Sequence, residues 1–233
     1  MTHFRHINTL KTFDWFLIGG VVFFSLLYSI LSGSFDAMGT IAGVTGVVCV
    51  VLVAKGNIFN YLFGLINVTL YAWISFKAEL YGDALLNALY YLPMQFAGWF
   101  TWMRKRSSEE SVTIIARRLS RNQRYILTAV SVVTVAAGAV FLDILNDPQP
   151  VKDSATTILS IIAMFLMVKV YMEQWILWVV VNVISIMMWS VSYIEGEPHS
   201  MLMVIMWVFY LVNSVNGWIL WIKLSSNGQS VLK

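Results

Sequence analysis

Eight apolar stretches, each long enough to cross a bilayer, take up most of this 233-residue chain. They lie at 15–32, 37–54, 57–76, 83–103, 125–145, 154–171, 174–194 and 200–222. Hydrocarbon cannot satisfy exposed backbone polar groups, and the runs are too long and too continuously apolar for barrel strands, so each reads as a helix. Composition agrees: 59% hydrophobic against 12% charged residues leaves too little polar surface to coat a water-soluble domain. The expected fold class is therefore an all-α polytopic membrane protein with eight transmembrane helices.

Charge orients it. Numbering the loops alternately places 13 of the 15 Lys and Arg residues on the side of the amino terminus and of segment 104–124, leaving only Lys77 and Lys152 opposite. The positive-inside rule makes that side cytoplasmic, with both termini in the cytoplasm. The +3 net charge then reports orientation, and no nucleic-acid partner is expected. No small-residue cleavage motif follows Leu31-Ser32-Gly33-Ser34, so the first run reads as a retained helix. Cys49 stands alone inside a span, which excludes a disulfide framework.

The chain also resembles itself. Tyr91-Leu92, Gly98-Trp99 and Trp102 return 119 residues later as Tyr210-Leu211, Gly217-Trp218 and Trp221. A second echo, at an offset of 115, sets Asn67-Val68 against Asn182-Val183 and Phe63 against Trp178, with a longer loop near Glu195-Gly196-Glu197-Pro198 absorbing the difference. Spans two to four and six to eight then form two parallel three-helix units joined by the fifth span, a 3+1+3 plan in which transporters place their solute site near mid-membrane. The expected divisions are an N-terminal tail and extra helix (1–36), a first bundle (37–104), a cytoplasmic loop and linker helix (105–153), a second bundle (154–223) and a C-terminal tail (224–233). Ser107-Ser108-Glu109-Glu110 reads as the start of a short interfacial helix within 104–124, against the competing reading of a solvated linker.

Polar and aromatic residues recur at helical spacing in spans four and seven: Asn87, Tyr91, Gln95, Trp99 and Trp102, then Trp175, Trp178, Asn182, Ser185 and Trp189. A buried amide costs free energy unless paired, so these faces, with Asn67, Tyr210, Asn213 and Asn216, must point into the bundle, as glue between helices or toward a solute. Trp102 and Trp221, beside Arg104 and Lys223, read as interfacial belt residues. Pro93 inside span four is expected to bend that helix. No ionisable residue falls in the central part of any span, which favours passive movement over proton coupling, while sodium coupling through carbonyls and hydroxyls is less firmly excluded. His3, His6 and His199 sit in a tail and a loop, and no nucleophile or phosphate-binding motif appears, so neither metal, cofactor nor enzyme activity is expected.

Several fragments together resemble the bacterial PnuC family of nicotinamide riboside transporters: Asn60-Tyr61-x-Phe63-Gly64-x-x-Asn67, Leu80-Tyr81-Gly82-Asp83, Asn87 with Tyr90-Tyr91 and Gln95, Gly98-Trp99-x-x-Trp102, and Glu173-Gln174-Trp175-x-x-Trp178. The resemblance spans roughly 37–223. It implies a core like that of full-length SWEET sugar transporters preceded by an extra helix, a homotrimer in the bacterial inner membrane, and import of nicotinamide riboside by facilitated diffusion, drawn inward by cytoplasmic phosphorylation. Thiamine, riboflavin or a sugar are the alternative solutes. On this reading the substrate-binding residues are Asn67, Asn87, Tyr91, Gln95, Trp99, Trp178, Asn182, Tyr210 and Asn213. Aromatic faces suit a cationic pyridinium, and amides suit a carboxamide and ribose hydroxyls. The lining is expected to be neutral, with no buried carboxylate to slow release.

Overall fold

A computed structural model describes residues 10–78, 81–105, 116–144 and 150–231. Within them the chain forms eight helices: α1 (Thr12–Ser32), α2 (Ala37–Ala54), α3 (Asn60–Lys77), α4 (Tyr81–Leu85, then a π-helical stretch Leu86–Tyr91, then Leu92–Arg104), α5 (Arg121–Ile144), α6 (Pro150–Val168), α7 (Gln174–Ile194) and α8 (Ser200–Val231). Six of them, all but α3 and α4, are long and apolar enough to cross a membrane. The two exceptions carry the amides and aromatic hydroxyls that a solute site needs. The expected spans agree with the helices within a few residues, except that α8 continues past 222 to Val231.

Local chemistry sets the boundaries. The Asp36 carboxylate accepts the Gly39 N–H at 2.8 Å and starts α2, and Gly33, at φ +67°, ends α1 in the left-handed conformation. In α4, Pro93 has no N–H to give and its ring crowds the preceding turn; the backbone answers with the wider π turn, in which Leu92 N–H bonds to Asn87 O.

Helix contacts close a ring. α2 packs on α3, α3 on α4, α4 on α6, α6 on α7, α7 on α8, and α8 back on α2. The α2–α8 seam is extensive and the α4–α6 seam sparse. α1 lies outside, against α2 and α8, while α5 leans on α6, where Ser154 Oγ donates to Val135 O at 2.8 Å. Almost all of the α5 surface is exposed, as suits a helix facing lipid.

The turn after α2 is repeated bond for bond after α6, 114 residues later. Gly56 N–H to Val53 O (2.9 Å) and Asn57 N–H to Leu52 O (2.9 Å) return as Val170 to Met167 (3.0 Å) and Tyr171 to Leu166 (2.9 Å). Gly56 has φ +65° and Val170 φ +62°. A β-branched residue is costly there, and Val170 is held by the backbone of Arg117, which donates to its carbonyl at 2.7 Å. The turn sets Asn182 against Val68 and Trp178 against Gly64, so the Asn-Val echo at 115 is one residue out of register.

Both turns lie at the end of the bundle that carries the basic loop, and each is tied down by charge. Lys55 meets Asp14 of α1 at 2.6 Å, both side chains buried. Glu173, also buried, accepts Arg124 Nε at 2.9 Å and the Leu119 N–H at 3.2 Å. Residues 116–120 are thus docked on the α6–α7 turn and are not helical; the expected helix start at Ser107 lies outside the described residues. Partial burial and the neighbouring charges of Arg117 and Lys169 lower the Lys105 amine from its usual range.

Trp102 and Trp221 correct the belt reading. Both are fully buried at this end, where Trp102 Nε1 donates to Met167 O at 3.0 Å and Trp221 Nε1 to Ala54 O at 3.1 Å. Each indole at the end of α4 or α8 therefore ties the far end of α6 or α2. Position beside a cation is the usual belt signature, but here the N–H has a backbone partner inside the bundle.

Candidate solute-binding cavity

The ring of helices encloses a cavity at mid-bundle. It leaves about 110 Å³ for the centres of water-sized molecules, several times the ~10–15 Å³ that one water requires. Every ring helix contributes: Cys49 from α2, Asn67 from α3, Asn87, Tyr91 and Gln95 from α4, Ser160 from α6, Trp178 and Asn182 from α7, Tyr210 and Ser214 from α8.

Seven of the nine residues expected at a solute site line this one cavity: Asn67, Asn87, Tyr91, Gln95, Trp178, Asn182 and Tyr210. Two do not. Trp99 turns toward Phe59, ring centres 6.1 Å apart, and Asn213, fully buried, donates to Val50 O at 2.8 Å across the α2–α8 seam. The helical stripe is real, but a stripe along a whole helix outruns a cavity of limited depth.

The amides share a pattern. Asn87 donates to Asp83 O (2.8 Å), Gln95 to Tyr91 O (3.3 Å) and Asn182 to Ser214 Oγ (2.8 Å). One N–H of each is thus committed to protein, while the side-chain carbonyls of these three accept no hydrogen bond among the described residues; Gln95 Oε1 is fully buried in that condition. A buried acceptor without a donor is costly, so the wall is disposed toward a solute that brings N–H and O–H groups. Asn67 is different. It donates to Ala42 O (2.9 Å) and accepts from Tyr210 OH (3.4 Å), which makes it a clasp between α2, α3 and α8.

Aromatic surface completes the wall, with the Tyr91 and Trp178 rings 6.3 Å apart. Among the described residues no Lys, Arg or His lines the cavity, but one carboxylate does, which corrects the expectation of a neutral lining. The expected fourth span opens at Asp83, which places that carboxylate at the membrane face. The helix actually begins at Tyr81, and Asp83 Oδ2 accepts the Tyr71 hydroxyl at 3.1 Å.

An all-α membrane bundle whose ring of helices surrounds a largely apolar, aromatic cavity set with a few amides and a carboxylate has the architecture of a carrier for a small organic solute. Comparison with known proteins narrows the class: the family model described as Nicotinamide mononucleotide transporter matches residues 36–223. The chain is 41% identical over 190 residues to the nicotinamide riboside transporter PnuC of Neisseria mucosa, covering 80% of this chain and 72% of that protein. Against PnuC of Escherichia coli the identity is 32% over 209 residues, covering 79% and 84%. A crystal structure of the vitamin B3 transporter PnuC superposes with a TM-score of 0.81 at 36% identity, covering 94% of both chains. The chain belongs to this family of membrane transporters.

Proposed function

We propose that the protein imports nicotinamide riboside through this cavity, with the basic end of the bundle facing the cytoplasm. One observation carries the choice of solute: amide carbonyls that accept no hydrogen bond, two aromatic rings tilted by 49° to each other and one carboxylate share a wall that, among the described residues, has no cation. Nicotinamide riboside offers the complement, namely carboxamide N–H and ribose O–H donors and a flat pyridinium whose positive charge suits Trp and Tyr faces. The mononucleotide of the family description fits less well. Its phosphate would lie buried with no Lys or Arg to pair it, at a cost of several kcal/mol.

The transport cycle rests on two parallel three-helix units, α2–α4 and α6–α8, with α5 as the linker and α1 as an addition, the plan of SWEET carriers. The boundaries 37–104, 105–153 and 154–223 divide the chain accordingly, and the reciprocal Trp102 and Trp221 bonds and the repeated turn support that division. Rocking of the units exposes the cavity alternately, flow follows the gradient, and phosphorylation of the riboside inside keeps the gradient inward. The carrier assembles as a homotrimer, one pathway per subunit.

Uptake of labelled nicotinamide riboside into proteoliposomes tests the reading. Gln95→Ala and Asn182→Ala are each expected to cut uptake about tenfold, the worth of a hydrogen bond or two. Unlabelled riboside should compete and the mononucleotide should not; thiamine, a cation without ribose, should compete weakly. Unchanged uptake by both variants would return these amides to a packing role.

A further inference from the structure

Among the described residues Asp83 is the one charged side chain on the cavity wall, and no Lys, Arg or His forms an ion pair with it. Its support is a phenol: Tyr71 OH donates to Oδ2 at 3.1 Å while accepting Trp189 Nε1 at 2.6 Å and Trp207 Nε1 at 3.1 Å. With two N–H groups on the phenol oxygen, its own O–H is left to point at the carboxylate. These side chains come from α3, α4, α7 and α8, and Tyr71 and Trp189 are buried, so the carboxylate is held in place.

An anion set in a cavity wall without a counter-charge attracts a cation into that space. Water screens it when the cavity is wet, and a positive solute displaces that water and takes its role. Tyr91 and Trp178 lie farther along the same wall and act on the same charge through their ring faces. We propose that Asp83 is a specificity-determining residue that makes the carrier select the oxidised, positively charged nicotinamide ring over its reduced, neutral form and over any anionic derivative. This inference rests on the nicotinamide riboside reading above.

The pair that isolates charge is nicotinamide riboside and its 1,4-dihydro form, which share carboxamide and ribose and differ by one hydride. Binding of each to the purified protein, wild type and Asp83→Asn, is the measurement, with Asp83→Glu as the charge-keeping variant. The wild type is expected to prefer the cation at least about tenfold, and Asp83→Asn to weaken cation binding about tenfold while leaving the dihydro form within roughly twofold. Asp83→Glu should keep the preference. Retained binding of the dihydro form shows that the variant is folded; if Asp83→Asn does not fold, Asp83→Ser is read in the same way.

The proposal is overturned if Asp83→Asn keeps the wild-type ratio, if it loses both forms equally, or if the wild type binds both forms alike. Binding of neither form by the wild type would instead overturn the transport reading, and this inference with it.

Discussion

Asp14 and Lys55 show how a residue that counts as a topological signal in the sequence becomes structural in the fold. Their side chains are 1% and 3% exposed and meet at 2.6 Å, so removing one partner strands a charge in a desolvated site. Lys55→Met is expected to destabilise the protein by about 3–5 kcal/mol, read as a lower thermal midpoint in detergent. The double variant Asp14→Leu with Lys55→Met should recover all but ~1 kcal/mol, because Asp14 also accepts the Lys11 N–H that opens α1. A double variant as unstable as the single one would mean that the pair contributes more than mutual neutralisation. That Lys55 belongs to the charged end was legible; that it reaches under α1 was not, since pairing between distant helices leaves no periodic trace.

At the scale of elements, two glycines set how closely helices approach. A Cβ on Gly217 of α8 would come within 2.6 Å of the Trp175 ring, and one on Gly98 of α4 would collide with the Tyr61 ring. Gly217→Ala is therefore expected to cost about 1–3 kcal/mol through overpacking. Gly19→Ala in α1, where an added methyl meets nothing within 4 Å, should be neutral or stabilising by up to ~1 kcal/mol. Equal midpoints for the two variants would refute this account of the contact.

The Gly-Trp echo was legible because both copies answer the same packing demand, a small residue under an aromatic ring. The number of helices, their ends and the convergence of seven of the nine expected residues on one cavity were legible for a related reason: apolar length and helical spacing are local properties. The π turn was not. Pro93 announces a disturbance, but whether the backbone kinks or widens depends on the neighbours that hold Asn87 and Tyr91 on the cavity wall. Nor was Asp83, since a carboxylate two residues into a helix looks the same in sequence as one just before it.

For the whole molecule, indoles cluster toward both ends of the ring: Trp189 and Trp207 on Tyr71 at one end, Trp102, Trp175 and Trp221 at the other. At the basic end the cluster has two matched bonds, Trp102 to the end of α6 and Trp221 to the end of α2. If these bonds exist only while that end is closed, removing either shifts the balance of conformers by the worth of one hydrogen bond, about 0.5–1.5 kcal/mol, or roughly 2–10-fold. The chain carries its own reporter, because its single cysteine, Cys49, lies on the cavity wall. Trp102→Phe and Trp221→Phe lose the N–H and also leave a void where the rest of the buried indole sat, so each should raise the rate of Cys49 modification by a small impermeant thiol reagent applied from the basic side by at least that factor. Saturating nicotinamide riboside should slow the same reaction in the wild type by occupying the space beside the thiol. A rise in one variant alone would show that the two seams open independently, and no rise in either would assign both indoles to packing that persists through the cycle.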